Sequence, residues 1–129
     1  MTAALLGALG VVLGAFGAHG LKELVPPETV TAFQTGAQYQ MYHVFALLAI
    51  GILWSKFSGK LLKLAGNFFL TGILLFSGSL YLITMLKAAD ITGLGKIGII
   101  TPIGGVFLIA GWLLLFFGLA KKSPEQGQA

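Results

Sequence analysis

The chain has 129 residues, 57% of them hydrophobic and only 9% charged, and its formal charge of +4 comes entirely from lysine. A soluble domain carries about 25% charged residues, so this composition belongs to an integral membrane protein with room for one compact bundle. The absence of cysteine excludes disulfides, thiolate metal sites and cysteine nucleophiles. Lysines scattered between apolar stretches, rather than gathered in a stripe, argue against nucleic acid as a partner.

The first apolar stretch, about residues 2–21, is long enough to cross a hydrocarbon core of about 30 Å. No lysine or arginine precedes it and three further spans follow, so it reads as a retained span rather than a signal peptide. Its glycines Gly7, Gly10, Gly14 and Gly17 step by three, four and three, which places them on one helical face. In water each would cost about 1 kcal/mol relative to alanine; in a bilayer they let another helix approach closely. The stretch runs into His19, with Lys22 and Glu23 just beyond.

Pro26-Pro27-Glu28-Thr29 starts the second span, about residues 28–55, with proline in the first turn and an acid at the positive dipole end. Only Val44–Trp54 is strongly apolar, so a helix of this length is expected to tilt, bend near Gly36 or project its polar first turns beyond the hydrocarbon. The third span covers about residues 64–86. The glycine- and isoleucine-rich segment after it is expected to be irregular and packed on the bundle. Thr101 as N-cap and Pro102 at the first helical position open a fourth span, about 101–120. On this span Gly104, Gly111 and Gly118 recur every seven residues, and residues 123–129 form a polar tail expected to be disordered.

The fold predicted is therefore an all-α, four-helix transmembrane bundle over residues 1–122. With the N-terminus inside, the inner segments hold Lys56, Lys60, Lys63, Lys121 and Lys122 against Lys22, Lys87 and Lys96 outside, which favours both termini in the cytoplasm.

In this topology His19 and His43 fall at one level near the outer interface. Tyr39, Gln40 and His43 share a helical face, while Ser77, Tyr81 and Thr84 form a polar stripe on the third span. Thr101 brings a helix N-terminus to the same side. Polar groups at membrane depth are costly unless paired or functional, so His19, Tyr39, Gln40, His43, Ser77, Tyr81 and Thr101 are the candidate ligand-binding cluster. Bracing between helices is the competing role for the same residues. Two histidines without a third ligand give little support for metal or haem, and no metal or other cofactor is expected. No nucleophile elbow, dinucleotide-binding unit or buried carboxylate pair is present in the pattern, so no catalytic residue is assigned.

The blocks GAFGAHGL (residues 14–21), TGAQYQMYH (35–43), FSGSLY (76–81) and ITPIGG (100–105), followed by Gly111-Trp112, resemble the small membrane proteins grouped as domain of unknown function 423. The resemblance covers nearly the whole chain and implies a small multi-pass helical protein of the bacterial inner membrane. It brings no reaction, cofactor or catalytic residue with it. The expected function is non-enzymatic: binding a lipid or small apolar ligand, or scaffolding a membrane partner. An oligomeric pore or small-solute carrier is the alternative, with a histidine-dependent membrane enzyme or redox protein behind it. The expected partners are membrane lipids, with a homo-oligomer allowed and any protein partner unknown.

Overall fold

A backbone in hydrocarbon must satisfy its hydrogen bonds internally, which restricts an apolar chain of this kind to helices. The computed structural model describes residues 1–57 and 59–121; the predicted polar tail lies outside the described residues. Among the described residues, four helices are long and apolar enough to cross a membrane. The spans are Thr2–Glu23, made of α1 (Thr2–Ala18) and the turn after it; α2 (Pro27–Phe57); α3 (Lys60–Ala88); and Gly95–Ala120, made of a single turn, α4 (Gly95–Gly98), and α5 (Ile100–Ala120). The protein is an all-α membrane bundle.

The helices pack in chain order. Helix α1 lies on α2, α2 on α3, and α3 on α5, whereas α2 and α5 barely touch. This series makes α3 the central element and leaves clefts between helices two apart. One hydrophobic cluster joins α2, α3 and α5 through Ile50, Leu62, Phe69, Ile73, Leu108 and Leu115. A second, around Leu21, Val25, Val30 and Phe33, closes the α1–α2 end, where a 3-10 turn (Gly20–Glu23) links the two helices. Large apolar side chains such as Val11, Val12, Ile52, Val106, Phe116 and Phe117 are exposed on the outside, as suits a lipid-facing surface.

Glycine spacing determines the closest approaches. A β-carbon at Gly104 would overlap the backbone of Phe76, one at Gly111 would come within 2.7 Å of the Phe69 ring, and one at Gly118 within 2.6 Å of Leu62 Cδ1. The heptad glycines of α5 thus all face α3. On α1, Gly7, Gly10 and Gly17 face Val44, Met41 and Phe33 of α2, while Gly14 has nothing within 4 Å.

Helix α2 continues unbroken through Gly36, which packs against Leu80 and Tyr81. Thr101 is not an N-cap: α5 starts at Ile100 with Ile99 in the cap position, and Thr101 uses its hydroxyl elsewhere. The α3–α5 connection turns at Asp90 (φ 59°) and Gly93 (φ 79°). It is irregular apart from the single turn α4 and packs on the bundle only in part: Leu94 and Ile97 are half-buried, while Ile91 and Ile99 are exposed.

Candidate functional site

The polar side chains within the spans connect neighbouring helices. Gln40 of α2, only 2% exposed, donates from Nε2 to the Leu6 carbonyl of α1 at 2.7 Å. Its Oε1 accepts from the Tyr81 hydroxyl of α3 at 2.8 Å. Glycine at position 10 leaves room for this arm, because a β-carbon there would lie 3.4 Å from Gln40 Nε2 and 2.7 Å from Met41 Sδ. Ser77 of α3 donates to the Gly36 carbonyl of α2 at 2.6 Å. Ser79 and Thr101 share a 2.6 Å hydroxyl–hydroxyl bond between α3 and α5. No buried side-chain nitrogen or oxygen among the described residues lacks a partner.

His43, 4% exposed, ties α2 to α5. Its Nδ1 lies 2.6 Å from the Tyr39 carbonyl, which can only accept, and Trp112 Nε1–H donates to its Nε2 at 3.1 Å. The two contacts require the tautomer with the proton on Nδ1 and a bare Nε2. Both nitrogens are occupied, so a ligand bond from His43 to a metal would require displacing Trp112. Phe69 completes the packing, with ring centroids 5.5 Å from His43 and 5.2 Å from Trp112.

The seven predicted residues do not form one cluster. His19 is exposed at the C-terminal end of α1, where its backbone N–H bonds the Phe16 carbonyl. It does not share a level with His43. The facing pairs Gly17–Phe33 and Gly10–Met41 show that α2 descends past α1, so His43 lies about 18 Å farther along the axis, at 1.5 Å per residue, than the turn facing His19. Tyr39 and Gln40 also part company, since consecutive residues are about 100° apart on a helix of 3.6 residues per turn. Gln40 and Tyr81 border a cleft between α1 and α3, whereas Tyr39 and His43 border one between α2 and α5. Ser77 and Thr101 are absorbed in helix contacts.

The α2–α5 cleft is the larger, about 470 Å³, and is lined by Tyr39, Tyr42, His43, Phe76, Gly105, Leu108, Ile109 and Trp112. Tyr39 lies over Phe76 with centroids 4.9 Å apart. Phe76 is 13 residues from Lys63 and 11 from Lys87, or roughly 20 and 16 Å along the helix, which places this wall near mid-bilayer. Gln38 donates to the Tyr42 hydroxyl at 2.6 Å. The Tyr39 hydroxyl has no hydrogen-bond partner among the described residues, and the residue is 40% exposed. Trp112, Phe76 and Ser79 were missed as contributors. Trp112 carried a usable signal, being a tryptophan eight residues inside the end of its helix rather than at an interface.

Four apolar helices, buried polar groups that all have partners among the described residues and an aromatic lateral cleft define an integral membrane protein of the helical-bundle class. Residues 13–105 match the family described as Protein of unknown function (DUF423), and the chain belongs to it. It is similar to the UPF0382 membrane protein YwdK of Bacillus subtilis, 40% identical over 114 residues covering 88% of each chain. A UPF0382 membrane protein of Haemophilus influenzae is 40% identical over 119 residues, covering 92% of this chain and 90% of the relative. The UPF0382 inner membrane protein YgdD of Escherichia coli is 34% identical over 119 residues, covering 92% and 86%. No solved structure matches the chain.

Proposed function

We propose that this protein is a non-catalytic membrane protein that holds a hydrocarbon-resident lipid in the cleft between α2 and α5. The observation that carries the reading is that cleft. Its volume of about 470 Å³ falls within the roughly 300–1,000 Å³ of small-molecule sites. It opens sideways at a depth where the surrounding solvent is lipid tail. A non-catalytic role is supported by the way Gln40, His43, Ser77, Tyr81 and Thr101 spend their polar atoms on neighbouring helices. An apolar occupant suits the cleft better than a charged headgroup, which would have to leave the interface to reach Tyr39.

Gly105 lies at the cleft, and a β-carbon there would meet Phe76 Cδ2 at 3.8 Å, an ordinary van der Waals contact, so a larger side chain at this position takes up cleft volume. Native mass spectrometry of protein released from mild detergent, with lipid analysis of the extract, tests the reading. Wild type should retain a stoichiometric apolar lipid, and Gly105→Leu should lose it while unfolding at the same temperature. Equal retention by both, or no stoichiometric lipid on wild type, overturns it.

A further inference from the structure

We infer that the occupant of the α2–α5 cleft is a lipid bearing a neutral planar ring with a hydrogen-bond acceptor, of the quinone class, rather than a plain acyl chain. The inference rests on the cleft being a lipid site and adds the chemistry of its occupant. Three observations point to it. The first is the lining: Tyr39, Tyr42, His43, Phe76 and Trp112 contribute five rings, where the other exposed apolar side chains are aliphatic residues, scattered phenylalanines and Trp54. Aromatic faces favour offset or edge-on packing against another ring, a preference that a saturated chain does not satisfy.

The second is the Tyr39 hydroxyl. Near mid-bilayer an unpaired hydroxyl is costly, because no water is present to accept its proton. The other polar groups of the cleft are engaged: Tyr42 by Gln38, His43 by the Tyr39 carbonyl, and Trp112 by His43. Tyr42 accepts its bond from Gln38 and keeps its own proton, but the Tyr39 hydroxyl is the one with no partner among the described residues, and its proton suits a ring carbonyl. The third is depth. Phe76, the floor of the cleft, is 13 residues from Lys63 and 11 from Lys87, so the cleft faces the bilayer interior, where neutral ring lipids dissolve and charged headgroups do not. No lysine, aspartate or glutamate lines the cleft, in keeping with a neutral ligand.

The test uses Trp112 as the reporter. In full-length protein carrying Trp54→Phe, reconstituted in lipid nanodiscs, a naphthoquinone with a short isoprenoid tail is titrated while tryptophan emission is followed. The inference predicts saturable quenching, weakened about three- to tenfold in apparent affinity by Tyr39→Phe, as for loss of one hydrogen bond, and abolished by Gly105→Leu. The corresponding isoprenoid alcohol without the ring should compete poorly. Because the Tyr39 hydroxyl makes no internal bond, Tyr39→Phe should fold as wild type does, which its unfolding temperature checks. Quenching that rises linearly without saturation, or saturates identically in Tyr39→Phe, overturns the inference. If the ring compound fails while wild type still retains a tail lipid that Gly105→Leu loses, the ring assignment is refuted and the lipid site is not. Loss of both refutes the site itself.

Discussion

At the scale of single residues, Gln40 is the most consequential polar group. One side chain on α2 bonds the backbone of α1 and the Tyr81 hydroxyl of α3, so its removal loosens two interfaces together. Interhelical hydrogen bonds in membranes average about 0.6 kcal/mol and reach about 1.7. Gln40→Leu should therefore cost about 1–2 kcal/mol, read as a lower midpoint in thermal unfolding in detergent. Tyr81→Phe breaks one of the two bonds and should cost less, and the two substitutions should combine less than additively because they share that bond. An unchanged midpoint for Gln40→Leu would remove the bracing role. The candidate residues were legible as polar groups at membrane depth, but their grouping was not. Residue spacing of three and four suggested one face for Tyr39, Gln40 and His43. The actual division arises because Gln40 projects into the α1–α3 cleft while its neighbour Tyr39 borders the opposite one.

At the scale of helices, close approach is controlled by where a β-carbon is missing. Gly104→Ala must separate α5 from the Phe76 backbone, which cannot move as a flexible side chain would. Overpacking of this kind costs about 1–3 kcal/mol. Gly14→Ala, with open space around it, should be neutral or gain up to about 1 kcal/mol from helix propensity. Comparing the two unfolding midpoints separates a packing role from a general intolerance of glycine replacement; equal losses would contradict the geometric account. Hydropathy made the four spans readable, yet it misjudged the depth of α2. The stretch TGAQYQMYH looks semi-polar, yet its Gln40 and His43 bond other helices, and Gly36 and Ala37 are buried against neighbours. Within the predicted span of residues 28–55 only Val44–Trp54 reads as strongly apolar, and placing His43 at the start of that part set it near the interface. The Thr101 hydroxyl looked like a cap for a similar reason: spacing alone carries no trace of its partner, Ser79.

At the scale of the molecule, serial packing explains why a chain of four helices has lateral clefts at all. A helix that touches only its sequence neighbours leaves a gap to the next but one, and the gap between α2 and α5 is bridged chiefly by Trp112 reaching His43. The lysine asymmetry adds an expectation about how this bundle sits: a fluorescent protein fused after Ala129 should fluoresce in a bacterial host, since it matures in the cytoplasm, and a dark, full-length fusion would reverse the assigned orientation. On the proposed reading the α2–α5 cleft is a ligand site and not merely a furrow in a lipid-facing surface. An experimental structure in lipid nanodiscs tests it most directly. One ordered, elongated density is expected between Tyr42 and Trp112, within hydrogen-bonding distance of the Tyr39 hydroxyl. A cleft filled by the same diffuse lipid density as the outer face of α5, with Tyr39 unpartnered, would contradict it.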